Sequence, residues 1–271
     1  FGSRAFHLSD HRCTEPILRA FDWSLACSMA KRPADTQSVV DEEAWVDARK
    51  KLLKAEKEFT KKKDELNRLR MEMPWREVQK EYSFTRNGKT VTLADMLTHP
   101  SGNLIVVHFM FGPDWEKPCP SCSWWADGYS GILPHLHQRT GFVVVAAAKD
   151  EKLQAAATHK GWVFPCYSTS GSDFGRDFHA EYTDEEVKEK TGVFNWDKTA
   201  NMKHIPGYSV FRKQDGKIYH TYSTYVRGMD LMNTTYNFFD ILPDGRKEEG
   251  LPFTMAWVKP KDEYEQSWIA P

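Results

Sequence analysis

The chain has 271 residues, with 37 Lys and Arg against 38 Asp and Glu, a formal charge of −1, and 40% hydrophobic residues. That apolar share is enough for a packed core and argues against general disorder. The balanced charge argues against a nucleic-acid or anionic-membrane partner, and the longest apolar runs, Leu104 to Phe111 and Val143 to Ala148, fall far short of the roughly 20 residues of a membrane span. Five cysteines make no disulfide scaffold; their odd number leaves a thiol unpaired and points to a reducing, cytoplasmic setting.

Residues 1–40 have no period and read as an irregular extension. Within them, residues 1–28 read as an upstream segment, because Met29 opens an ordinary polar start. A transit peptide is the rival reading, and Asp10, Glu15 and Asp22 speak against an acid-poor signal. Residues 41–74 predict a long amphipathic helix. Asp41, Glu42 and Glu43 suit its dipole, and Trp45, Leu52, Phe59, Leu66 and Met73 recur every seventh residue, with Ala48, Ala55 and Leu69 on the next row, broken by Lys62. Two readings of this stripe stay open: packing on the chain's own domain, or self-association into a homodimer through residues 41–73. The basic run Lys61 to Lys63 reads as a solvated face.

After Pro74 the texture turns to β. Tyr82–Thr85 and Lys89–Thr92 flank Arg86-Asn87-Gly88, a hairpin signal, and Leu93–Thr98 is a short helix. Leu104–Phe111 and Gly141–Ala148 predict strands buried on both faces. Between them, a helix from Cys119 to about Arg139 should be kinked or split by Gly128, Gly131 and Pro134. Glu151–Lys160 predicts a second helix, Phe164–Tyr167 a short strand, and Ser168–Lys203 a long polar stretch with an acidic helix near Thr183–Lys190. Tyr208–Arg212 and Lys217–Thr224 make a late hairpin, and Met229–Leu242 a closing helix. Strand–helix–strand units imply a parallel core sheet, so the class is α/β with late antiparallel strands.

Cys119-Pro120-Ser121-Cys122 stands between a buried strand and a helix. That position sets the first sulfur at a helix N-terminus, where free N–H groups and the dipole favour the thiolate, and Pro120 suits the first turn. Cys119 would then attack a disulfide and Cys122 resolve the intermediate. A zinc site is the other reading, with only Cys166, His135, His137 and His204 as further donors. In a related form, a binding module, the Cys pair joins His108 or His204 around zinc or copper.

His204-Ile205-Pro206-Gly207 before the Tyr208 strand resembles the thioredoxin superfamily. The resemblance implies that Pro206 is the cis-proline beside the Cys-x-x-Cys and that Ile205 contacts substrate through its backbone; an ordinary trans strand-start proline is the alternative. It also implies that His108, in Val107-His108-Phe109, replaces the buried acid that takes a proton behind the second Cys; a hydrogen-bonded core histidine is the other reading. A closer resemblance runs from about Val39 to Tyr264, through His108 to Trp115, Cys119 to Asp127, Gly171 to Phe174, Tyr219 to Tyr225 and Met255 to Val258. These segments are similar to a thioredoxin-like family catalogued as a domain of unknown function and often labelled dithiol–disulfide oxidoreductase or isomerase. The family implies a thioredoxin-like domain over 75–243, with an insertion between the second core helix and the late hairpin, and a tail over 244–271. Cys166 departs from the aromatic residue expected at its place.

Trp115, Trp124 and Trp125 crowd the Cys pair and would offer an apolar docking surface. Alternation along Tyr219–Tyr225 separates Tyr219, Thr221, Ser223 and Tyr225 from His220, Tyr222 and Thr224, so that one face either lines a polar cleft or simply packs as strand. The function expected is a thiol–disulfide oxidoreductase acting on a protein or small-molecule disulfide or thiol, with no cofactor. A peroxiredoxin-like thiol peroxidase is the alternative, although Glu116 and Cys119 stand where a Thr or Ser would precede the reactive Cys.

Overall fold

The computed structural model describes residues 37–264. Residues 1–28, with Cys13 and Cys27, lie outside the described residues. Helix α1 (Glu42–Glu72) starts where expected, its Ala44 N–H donating to the Asp41 side chain at 2.8 Å. No residue of α1 is buried, which corrects the reading that its stripe packs on the chain's own domain. Among the described residues its tie to the sheet is at its foot, where Arg70 donates to the Tyr222 hydroxyl at 3.2 Å and lies over that ring. The chain then turns at Pro74, and β1 (Arg76–Glu77) becomes an edge strand of the sheet.

Strands β2 (Ser83–Arg86) and β3 (Lys89–Thr92) form the expected hairpin, turned on Asn87 and Gly88 at φ 51° and 73°. The short α2 (Leu93–Met96) follows with a Thr92–Asp95 capping box. Next come β4 (Asn103–His108), α3 (Pro120–Leu136), β5 (Gly141–Ala146), α4 (Asp150–Lys160) and β6 (Cys166–Ser168). Their strands run parallel in the order β4-β5-β6. An insertion holds α5 (Phe174–Asp177), α6 (Asp184–Glu189) and the small pair β7 (Val193–Phe194) and β8 (Lys198–Thr199). Finally β9 (Gly207–Gln214) and β10 (Lys217–Tyr225) enter antiparallel, β9 beside β4. The sheet reads β1-β10-β9-β4-β5-β6-β2-β3. Its centre, β10-β9-β4-β5 with α3 and α4 as connections, is the thioredoxin-like arrangement, and the insertion falls where the resemblance implied.

Two helices differ from expectation. Helix α3 runs unbroken through Gly128, Gly131 and Pro134, held by the stripe Cys122, Ala126, Tyr129 and Leu133, buried at three- and four-residue spacings. The closing helix is not continuous: a 3-10 turn over Val226–Met232 ends at Asn233, whose side chain caps α7 (Thr234–Phe239) by accepting from Tyr236 N–H at 3.0 Å.

One face of the sheet packs on α3 and α4 through Val107, Phe142, Val144 and Leu153, and the other on the hairpin, α2 and α5 through Leu104, Val106, Phe174 and Phe211. A bulge between His220 and Tyr222 breaks the simple alternation of β10. His220 and Ser223 therefore meet, Nε2 to Oγ 2.6 Å, and the chain of polar groups continues through Ser209 Oγ (2.8 Å) to His108 Nε2 (2.8 Å). Ser223, Thr224 and Tyr225 are buried, so this end of the segment is core, while Tyr219 to Tyr222 are partly exposed.

Burial holds His108 down at about 3 and His220 at about 4, below the ordinary 6.5. Both rings are thus neutral in the folded chain, whereas unfolded chains take up protons as pH falls below about 6.5. Their contribution is complete above that pH and is lost as pH falls toward 4. The urea midpoint should therefore drop between pH 7 and pH 4.5, and His108→Gln, which cannot titrate, should reduce the drop; equal midpoints for wild type at both pH values would contradict this.

Candidate active site

The site begins at the end of β4. Phe109 N–H bonds to Val145 C=O at 2.9 Å and Ala148 N–H to Phe111 C=O at 2.7 Å, extending the β4–β5 contact past the last ladder pair. The loop then returns, and Cys119 N–H donates to Met110 C=O at 3.1 Å, setting the start of α3 against the strand end. Cys119 is the N-cap of α3 with Pro120 in the first turn, and its carbonyl accepts from Ser123 N–H and Oγ at 2.9 and 3.0 Å.

Cys119 is half-buried and Cys122, one turn further, is buried; both are free thiols. A hydrogen bond from the Cys122 thiol, helped by the N–H groups of Cys122 and Ser121, holds the Cys119 thiol below its ordinary value against the opposing effect of burial. The same hydrogen bond to Cys119, together with burial, raises Cys122 well above its own. Of the pair, Cys119 is the more readily ionised and Cys122 keeps its proton. Burial pushes Cys166 up to about 12, so it is an inert core thiol.

Behind Cys122 the tyrosines Tyr129 and Tyr208 share a hydrogen bond of 2.7 Å, oxygen to oxygen. Burial raises both phenols, and negative charge on Cys122 would raise them further. Neither residue was singled out from sequence, yet Tyr129 lies on the α3 stripe seven residues from Cys122, and Tyr208 is the second residue of β9, two after Pro206.

His108 is not behind Cys122. Alternation on β4 sends Val107 to the Cys122 face and His108 to the other, where it stacks on Phe174 (5.6 Å between centroids) and bonds Ser209. The core-histidine reading holds. The Ile205–Pro206 bond is trans, since the described residues contain no cis peptide. The segment is already extended: His204 bridges Glu181, and Val226 N–H bonds Pro206 C=O at 3.0 Å, so the chain runs straight into β9. Ile205 N–H donates to Ala180 C=O at 2.9 Å, so the insertion occupies the group expected to contact substrate.

Trp115 stays at the site. Like Cys119 it is partly buried against the core cluster that holds Cys122. Lys152 bonds its carbonyl at 2.9 Å, and its ring meets His204 edge-on at 5.4 Å. Gly112 is needed beneath them, because a Cβ there would lie 2.8 Å from Trp115 Nε1 and 2.9 Å from His204 Nε2. Trp124 instead turns to the tail, packing on Tyr236 (5.0 Å) and Trp257 (5.4 Å). Glu248 fixes that tail by accepting from Tyr236 Oη, Met255 N–H and Trp257 Nε1 at 2.7 to 2.8 Å. Among the described residues no group of three His, Cys, Asp or Glu is placed to hold a metal ion, so neither His108 nor His204 joins the Cys pair in a ligand set.

Residues 34–264 match the family described as bacterial protein of unknown function (DUF899). The chain belongs to that family. No curated protein matches it. Among solved structures it is similar to the peroxidoxin BcpB from Mycobacterium tuberculosis (14% identity, TM-score 0.41, 56% of this chain and 85% of that one). A peroxiredoxin Q mutant from Xanthomonas campestris is comparable (12%, 0.39, 54% and 80%). So is BsSco, of the Sco family of cytochrome c oxidase assembly proteins (13%, 0.33, 56% and 85%). Likeness this slight says nothing of chemistry; for this DUF899 member, that rests on its own thiols.

Cys119 should be alkylated by iodoacetamide well before Cys122 and Cys166 at pH 7, with a rate–pH midpoint below 9, as peptide mass spectrometry would read. Equal labelling of the three would show that the outer thiol is not activated.

Proposed function

We propose that the chain is a thiol–disulfide oxidoreductase that acts on small disulfides. The observation that carries this reading is the placement of two free thiols one turn apart at the N-terminus of α3, the half-buried Cys119 at the cap and Cys122 buried behind it. The Cys119 thiolate attacks one sulfur of a disulfide, forming a mixed disulfide and expelling the other half as thiolate. Cys122 then loses its proton and attacks the Cys119 sulfur, expelling the second half. The substrate gains two electrons and the enzyme keeps the Cys119–Cys122 disulfide, to be reduced again by an external thiol. Tyr129 and Tyr208, hydrogen-bonded to one another and packed in the cluster that buries Cys122, act as positioning residues for the inner thiol.

A small substrate is favoured because Ala180 occupies the Ile205 N–H and an incoming strand has no free donor there. Trp115 supplies an apolar wall beside Cys119. A cytoplasmic location, where thiols are kept reduced, suits this chemistry.

The occupied Ile205 edge also favours a second reading, thiol peroxidase, since a peroxide needs no strand pairing. There the Cys119 thiolate attacks the O–O bond, becoming sulfenate as alcohol or water leaves, and Cys122 condenses with it, releasing water.

Under the first reading, Cys119→Ser abolishes reduction of a small disulfide and Cys122→Ser accumulates a substrate adduct visible by intact mass. A Cys119→Ser enzyme with full activity would sink the mechanism. Tyr208→Phe, which removes the Tyr129–Tyr208 hydrogen bond, should prolong the mixed disulfide by roughly fivefold, the effect of one neutral hydrogen bond, with unchanged formation of the adduct. Stopped-flow sulfenate formation with peroxide separates the two readings: a rate no better than free cysteine disposes of the peroxidase.

A further inference from the structure

Among the described residues, none packs over the apolar stripe of α1. Trp45 is 58% exposed, Leu52 55%, Phe59 60%, Leu66 39% and Leu69 51%, on a helix of 31 residues with none buried. At 1.5 Å per residue the rod is about 47 Å long. Helices in water owe most of their stability to packing of an apolar face, and contiguous exposed apolar surface marks an interaction site. The period of seven is that of a coiled coil, with Trp45, Leu52, Phe59 and Leu66 in the first core position and Ala48, Ala55, Lys62 and Leu69 in the second.

The charges flanking this seam decide what covers it. In a parallel, in-register pair, each residue just before a first core position faces the partner residue five further on. Those pairs are Lys51 with Glu56 of the partner subunit, Glu58 with Lys63 of the partner subunit, and Glu65 with Arg70 of the partner subunit. All three are opposite in sign, and two-fold symmetry doubles them. An antiparallel pair overlapping the whole stripe would instead set Glu56 against Glu56, Glu58 against Glu58 and Arg49 against Lys63, with Lys51 against Glu65 an attractive match. Sliding that pair by one heptad relieves the repulsion but leaves Leu66 and Leu69 without a partner. We propose that α1 pairs with a second copy of itself as a parallel, in-register coiled coil, making the protein a dimer rooted where Arg70 meets Tyr222. The remaining polar core residue, Lys62, already bends its ammonium outward to Glu65 at 3.0 Å, as a core lysine must in such a pair.

Sedimentation equilibrium of the full chain should give twice the chain mass at micromolar concentration, and Leu52→Asp with Phe59→Asp should return the monomer. Glu58→Lys should raise the dimer dissociation constant roughly tenfold by turning two attractions into repulsions, and adding Lys63→Glu should restore it. A wild-type monomer at tens of micromolar, or a dimer indifferent to the Asp pair, would overturn the proposal. A dimer that Glu58→Lys weakens but Lys63→Glu does not rescue would overturn the parallel register.

Discussion

The constraint on which the site depends is the single backbone bond from Cys119 N–H to Met110 C=O, which closes the loop after β4 and holds the first turn of α3 at the strand's end. Cys119 thereby caps a helix whose free N–H groups face its sulfur, while Cys122 is carried one turn inward under the sheet. Two chemically identical thiols acquire different proton affinities from place alone: hydrogen bonds to the charged form lower the outer one, and the hydrogen bond to Cys119 together with burial raises the inner one. The surrounding core serves this arrangement, for the stripe that keeps α3 intact past Pro134 is the same stripe that buries Cys122 and Tyr129.

Two additions to the thioredoxin-like core then reshape its surroundings. The insertion lays Ala180 and Glu181 along His204 and Ile205, satisfying backbone groups that would otherwise be open to a partner strand. The tail, clamped by Glu248, covers the outer side of α3 and takes Trp124 out of the site. Trp115, packed like Cys119 against the cluster that holds Cys122, is fixed by Lys152 and by the gap that Gly112 leaves. On the far face of the sheet, His108, Ser209, Ser223 and His220 satisfy one another in a buried line, a cross-strand lock rather than a proton route to the thiols.

The sequence by itself determined most of the elements and the candidate Cys pair. Hydrophobic runs gave the buried strands, Asn87-Gly88 the hairpin, the heptad stripe α1, and the Cys-x-x-Cys before a helix the candidate nucleophile, because each is a local matter of periodicity, turn chemistry or helix ends. Tertiary structure decided what lies opposite what. Which face of β4 receives His108 depends on strand parity counted against neighbours, and the bulge in β10 shifts that parity by one residue. Whether Ile205 N–H is free depends on a segment some 25 residues earlier in the chain folding back beside it, and whether Trp124 meets substrate depends on a tail more than 100 residues later. Those pairings carry no local signal, since they arise from long-range packing that satisfies buried polar groups and apolar area together.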